Sequence, residues 1–411
     1  MNLKNAYIEN MKRRKIILFG AGNYARQFYK DFHNSFSILF CISNDTEESS
    51  LTVDGKEILP VYRVEEGLQR AGENTLVVLC TACYQEMGEQ LGLMGYSCGK
   101  DYIHSELFRV LVSSRKIAMV YGVCYTRSIH DCLKHSEDFI LDYEIFYWLS
   151  YKQMTMMEYE IFLFMLSICD LYLYNACISP VEQRKNHGFL KQLPQGCQRI
   201  SIPLISLTTY HPQSVHGIAG NNPYCIMSAK TSWAPFLSPD WNINRMLDEG
   251  RTLHEILAKI RADDFYKKEK LQESYSGEIR RIQIQERIAD IKISDYLIKN
   301  HGKKRLFLNE THISNYVIIE LTKRILDRLG YSTELPEEEL LGTELLHTSE
   351  VPLYPSVIEG LSLDIYKGKD ITYDLFTFQG RKKVTFEEYV EIYCDFCGNM
   401  MRFIREGLFP E

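Results

Sequence analysis

The chain has 411 residues, 45% of them hydrophobic and 25% charged, with a formal charge of -7 at neutral pH. These proportions exclude a disordered or collagen-like chain, and the acidic balance offers no general attraction for nucleic acid or an anionic membrane. The length exceeds a single core and predicts two domains. Twelve cysteines are spread along the chain, and its start, Met1-Asn2-Leu3-Lys4-Asn5-Ala6, lacks the apolar core of a signal peptide, so reduced thiols and a cytoplasmic location are expected.

The first elements follow the order of a nucleotide-binding fold. Lys15–Phe19 is an apolar run that predicts a strand, and Gly20-Ala21-Gly22-Asn23-Tyr24-Ala25 follows it as GxGxxA. Glycines there tighten the turn and let a pyrophosphate approach the helix amino terminus. A second strand, Ser37–Ile42, leads to Asp45, near the position expected of a ribose-binding acid. The strand Thr75–Leu79 and a helix from Gln85 to Met94 repeat the unit. Residues 1–112 are therefore expected to form a Rossmann-like parallel-sheet domain. Gly20, Gly22, Asn23 and Asp45 are its candidate contacts to a nucleotide or nucleotide-sugar; the glycines equally suit a domain where they serve only the turn and helix packing.

Residues 113–411 are expected to form a larger, helix-rich α/β domain. The apolar strand Lys116–Tyr121 runs into the turn Gly122-Val123-Cys124-Tyr125, and a helix follows over Thr126–Lys134. Cys124 thus stands at a strand's carboxyl end, where open α/β sheets carry their chemistry. The aromatic and methionine-rich segment Tyr143–Leu166 predicts core helices, and Leu171–Tyr174 predicts a strand ending in the polar Asn175-Ala176-Cys177. The apolar window Ile161–Cys177 is interrupted by Asp170 and is too short and polar to span a membrane. A strand over Ile200–Leu204 precedes two segments rich in Gly, Pro, His and Asn, Thr208–Pro212 and His216–Tyr224. They read as active-site loops with His211, His216, Asn222 and Tyr224 as candidate substrate contacts.

Thr252–Lys299 is charged and helical, and Arg280, Arg281 and Arg287 either face solvent or clamp phosphate. Arg305–Leu308 predicts a strand that exits into Asn309-Glu310-Thr311-His312, and the helix Tyr316–Leu329 stops at Gly330. Cys124 and His312 each follow a strand, so both can reach the carboxyl edge of one sheet. There an imidazole can lower the thiol pKa or accept the proton of an attacking hydroxyl, with Glu310 or Asp170 orienting the ring. The pairs Cys80/Cys83 and Cys394/Cys397 have redox or half-zinc spacing but are expected to be ordinary reduced thiols, and no metal is expected. Leu353–Val357 reads as a short docking segment and Thr385–Phe403 as a terminal helix.

Across about residues 115–400 the order of motifs resembles the WcbI-like capsular polysaccharide biosynthesis family. The features are Gly122-Val123-Cys124-Tyr125, Asp170-Leu171-Tyr172-Leu173-Tyr174, Ile202-Pro203, Asn222-Pro223-Tyr224, the segment Arg287–Tyr296, Leu306–His312, and Pro352–Val357. The preceding domain resembles small Rossmann-like modules that accompany polysaccharide-tailoring enzymes.

The family resemblance implies a bacterial coenzyme A binding protein that transfers an acetyl or related acyl group to a surface or capsular polysaccharide or its sugar precursor. Its cofactor is coenzyme A or acyl-coenzyme A, and its partners are that small-molecule donor and a carbohydrate acceptor, with association to a polysaccharide assembly machinery or to a second copy of the chain. Cys124 and His312 are then the catalytic candidates. Gly122, Val123, Tyr125, Thr126, Arg127 and Arg287 are the coenzyme A candidates, with turn N–H groups over Val123–Thr126 as oxyanion donors. Where the family has Gly-Asn-Cys-Gln this chain has Gly122-Val123-Cys124-Tyr125, and where it has Asn-His-Pro-Thr this chain has Thr311-His312-Ile313-Ser314. The cysteine and histidine remain while side-chain amides are lost. Two other readings stay open: a non-catalytic nucleotide-sugar or glycan-binding assembly protein, and an acyl-ester hydrolase.

Overall fold

In the computed structural model the described residues are 3–45, 49–72, 74–176, 179–214, 239–342, 345–346, 349–367, 371–377 and 380–406. The chain divides into two compact units, one of residues 1–121, 140–173 and 179–199, the other of residues 122–139, 174–178 and 200–411. It is an α/β protein with a Rossmann-like amino-terminal sheet, as its strand and helix alternation predicts.

That sheet contains β1 (Lys15–Phe19), β2 (Ile38–Ser43), β3 (Ser50–Val53), β4 (Lys56–Arg63), β5 (Thr75–Leu79) and β6 (Tyr102–His104). Its order is β3-β4-β2-β1-β5-β6, with every pairing parallel except the β3/β4 hairpin. Without β3 this is the doubly wound order, and the strand sequence reverses between β1 and β5, the place where such sheets form a ligand crevice. The central strands are apolar runs because helices cover both faces: Ile16, Ile17, Leu18 and Phe19 are all fully buried.

A second sheet has β7 (Lys116–Gly122), β8 (Tyr143–Leu149), β9 (Leu171–Ala176) and β10 (Gln198–Pro203), in the order β10-β9-β7-β8. The Asp170 carboxylate accepts from the Ile117 N–H at 2.9 Å, and the Asn175 side chain accepts from the Val123 N–H at 2.9 Å. Residue numbers rise together along both strands, so β7 and β9 run in the same direction and end at the same edge.

Two expected elements differ. Tyr143–Leu166 is not all helix: it opens as β8, and the helix Met156–Ile168 starts only after Thr155, whose capping box with Glu158 sets the helix start. The β-branched and aromatic residues of Tyr143–Leu149 favour an extended chain. Arg305–Leu308 is not a strand of either sheet. Phe307 pairs only with Ile313 and the Leu308 N–H donates to the His312 carbonyl, which folds residues 307–313 into a tight turn.

The remaining helices of the second unit include Cys124–Leu133, Trp241–Asp248, Leu253–Ile260, Lys268–Gln285, Ser294–Asn300, Asn315–Leu329 and Phe386–Glu406. Asn315–Leu329 ends at Gly330 in the left-handed region, φ 82°, closing the helix as its sequence predicts. No helix among the described residues is long and apolar enough to cross a membrane.

Candidate active site

The turn after β7 is organised by a side chain from the neighbouring strand. Asn175, at the end of β9, uses Oδ1 to accept from the Val123 N–H and Nδ2 to donate to the Tyr125 hydroxyl at 2.7 Å. That hydroxyl donates in turn to the Pro203 carbonyl at 2.7 Å, where β10 ends. One buried amide thereby ties three strand ends together. Gly122 is required by this approach: a Cβ there would stand 2.0 Å from Asn175 Oδ1 and 2.6 Å from Thr126 Cγ2. Asn175 was legible as a polar strand end but not as the organiser, because its partners lie 50 or more residues earlier in the chain.

Cys124 is the first residue of its helix and is half-buried. Burial pushes its thiol pKa up, while the Tyr125 N–H and its own N–H hydrogen-bond to the sulfur and oppose the rise. Thr126 is buried, with its hydroxyl and its N–H both donating to the Val123 carbonyl. The Val123 and Thr126 N–H groups are therefore engaged within the turn. Arg127 is exposed, with its guanidinium 3.9 Å from Asp131.

His312 sits in the tight turn just before the helix Asn315–Leu329. Asn309 Oδ1 accepts from the backbone N–H groups of Thr311 and His312, at 3.1 and 2.9 Å, and lies 2.9 Å from His312 Nδ1. The amide oxygen faces donors on all three sides, so Nδ1 carries the proton in the neutral ring and Nε2 carries the lone pair. The two carboxylates expected to orient His312 have other described partners. Asp170 caps the start of β7 at Ile117, and Glu310 acts electrostatically on His211. Asn309 takes that place.

The helices Cys124–Leu133 and Asn315–Leu329 pack against each other. Cys132, eight residues along the first, meets Thr322, seven residues along the second, and past both helices Phe139 contacts Tyr331 with ring centroids 5.5 Å apart. Cys124 opens the first helix, and His312 lies three residues before the second.

The other predicted residues are dispersed. Arg287 is exposed just past the helix Lys268–Gln285; its neighbours Glu286 and Asp290 are structural, Glu286 accepting from the Ser294 N–H and hydroxyl and Asp290 from the Ser201 N–H and hydroxyl. Gly20, φ 113°, brings its backbone so near the Cys80 carbonyl that a Cβ would lie 2.7 Å from that oxygen, whereas a Cβ on Gly22 would meet nothing within 4 Å. Gly22 precedes the helix Asn23–Phe32, the Asn23 side chain accepts from Arg26, and Asp45 is exposed beyond β2 with its N–H bonded to Ser43. His216, Asn222 and Tyr224 lie outside the described residues. Among the described residues no group of three or more His, Cys, Asp or Glu is placed to hold a metal, and Cys80, Cys83, Cys394 and Cys397 are free thiols.

His211 is buried, with Nε2 bonded to the Val351 carbonyl at 2.9 Å, and burial pushes its pKa down to about 4 despite the Glu310 carboxylate. Between pH 6.5 and 4 the unfolded chain binds a proton that His211 refuses in the fold. Stability from this group is therefore lost as pH falls through that window, by up to about 1.4 kcal/mol per pH unit. The buried Asp240, raised to about 6 by desolvation, opposes this: its folded form keeps a proton that the unfolded form loses near 4. His211→Leu should accordingly raise the stability at pH 4 relative to that at pH 6.5 by about 3 kcal/mol compared with wild type, leaving the opposite Asp240 slope exposed. Urea unfolding across that range checks it, and a wild-type pH slope in the variant would refute it.

A family model described as the polysaccharide biosynthesis enzyme WcbI matches residues 117–334, more than half of the chain. A solved WcbI structure, described as a novel polysaccharide biosynthesis enzyme in its native form without a disulfide bond between coenzyme A and a cysteine, aligns with a TM-score of 0.53 at 18% identity. The alignment covers 72% of this chain and 98% of that one, and at this identity the likeness is one of fold. No curated protein matches the chain. The chain belongs to the WcbI family of polysaccharide biosynthesis enzymes.

Proposed function

We propose that the chain binds a coenzyme A thioester at the Gly122–Arg127 turn and transfers the acyl group to a hydroxyl of a surface or capsular saccharide or its sugar precursor. The observation that carries this is the packing against each other of two helices, one opening at Cys124 and the other entered from His312. Family membership supports the polysaccharide setting, and the description of the related structure supports coenzyme A beside a cysteine. Coenzyme A would supply the activated acyl group. The residues fit a thioester: Cys124 opens a helix, whose amino end offers backbone N–H groups, and exposed Arg127 and Arg287 suit its phosphates.

In this reading His312 Nε2 takes the proton of the acceptor hydroxyl as its oxygen adds to the thioester carbonyl. The coenzyme A thiolate then leaves and receives that proton. The raised pKa of Cys124 keeps it a thiol at neutral pH, which favours direct attack by the hydroxyl over a Cys124 acyl intermediate. Titration calorimetry with coenzyme A tests the site: binding tighter than millimolar is expected and should weaken in Arg127→Ala. Absence of binding below millimolar concentration would refute the proposal.

A second reading concerns the amino-terminal sheet. Its β1/β5 switch point, the tight Gly20 turn and the open Gly22 support binding of a nucleotide or nucleotide-sugar there. An assembly protein without catalysis would bind such a ligand and turn over no acyl-coenzyme A.

A further inference from the structure

Two cysteines outside the proposed active site stand as a matched pair. Cys169 ends the helix Met156–Ile168 and Cys197 immediately precedes β10, and their sulfurs are 3.6 Å apart. A disulfide needs about 2.05 Å, so a small side-chain movement would close the bond. The backbone already fixes the approach: the residues next to each cysteine are hydrogen-bonded, with the Gln198 N–H donating to the Asp170 carbonyl at 2.8 Å. Proximity is thus a product of β9/β10 pairing. Cys169 is buried and Cys197 is half-buried, which gives the two thiols different access to reagents in solution.

We infer that Cys169 and Cys197 form a reversible disulfide under peroxide, with Cys197 the reacting thiol and Cys169 the resolving one. Accessibility supports this division of roles: Cys197 is half-buried with the Arg199 charge nearby, whereas Cys169 is buried. In the first step Cys197 sulfur attacks one peroxide oxygen, forming a sulfenic acid and releasing water. In the second, Cys169 sulfur attacks Cys197 sulfur, displacing a second water and leaving the S–S bond. Two thiols lose two electrons and two protons, and hydrogen peroxide is reduced to two waters.

Peptide mapping of the full chain after graded hydrogen peroxide tests this without any substitution. The expected product joins the Cys169 and Cys197 peptides with loss of two hydrogens, forms in preference to any other cysteine pair, and reverts with dithiothreitol. In Cys169→Ser, dimedone should trap a sulfenic acid at Cys197; in Cys197→Ser, Cys169 should stay a thiol at the same dose. The proposal is overturned if wild-type Cys197 proceeds to sulfinic acid beside an unmodified Cys169. It is equally overturned if both remain thiols at a dose that oxidises the exposed Cys83.

Discussion

His312→Ala is expected to lower acyl transfer from acyl-coenzyme A to a saccharide acceptor by about 10²–10⁴-fold, the usual contribution of a positioned general base. Coenzyme A affinity should change little, because the imidazole is assigned to the acceptor's proton and not to the donor's phosphates. The ring owes its orientation to Asn309, whose Oδ1 lies 2.9 Å from Nδ1. Asn309→Ala should therefore reduce the rate by a smaller factor and leave the acceptor's apparent affinity nearly unchanged. Cys124→Ser separates the two chemical routes. Direct attack predicts turnover within about tenfold of wild type, whereas an acyl-cysteine intermediate predicts a loss comparable with that of His312→Ala. Free acid released without any acceptor would favour the hydrolase reading, and full activity in both variants would remove the pair from the mechanism.

The second large effect concerns Gly122. Its missing Cβ leaves the space that Asn175 Oδ1 occupies, and Ala at this position would force the amide away from the Val123 N–H. Overpacking of this kind costs about 1–3 kcal/mol, and each buried polar group stripped of its partner costs about 1–3 kcal/mol more. Asn175→Ala should destabilise by the second route alone, leaving the Val123 N–H without that acceptor and the Tyr125 hydroxyl without that donor. The two substitutions share one clash, so the double variant should lose less than the sum of the single losses. Denaturant unfolding of the four proteins in the cycle measures the coupling. Strict additivity would mean that Asn175 is not what requires glycine at 122.

The parts of the fold that sequence made legible are those with a local physical cause. The buried apolar runs of β1, β5 and β7, the glycine turn at Gly20, and the stop at Gly330 all follow from periodicity and backbone conformation within a few residues. Segments with no such local signature were misread. Tyr143–Leu149 is apolar enough for either helix or strand, and only sheet pairing settles it as β8. Arg305–Leu308 has strand composition but finds no strand partner, because its hydrogen bonds close onto residues 312–314.

For the site, the chain by itself determined the chemistry available: Cys124 at a strand end, His312 in a polar turn, and a motif order that identified the family. Tertiary structure alone decided how those residues are held. Asn175 and Asn309 supply amides at positions that local motifs did not mark as site residues, and two helices about 190 residues apart, one opening at Cys124 and the other following His312, pack against each other. A side chain's role here depends on which distant donor or acceptor the fold sets within about 3 Å of it. That separation in sequence is what one-dimensional spacing cannot encode.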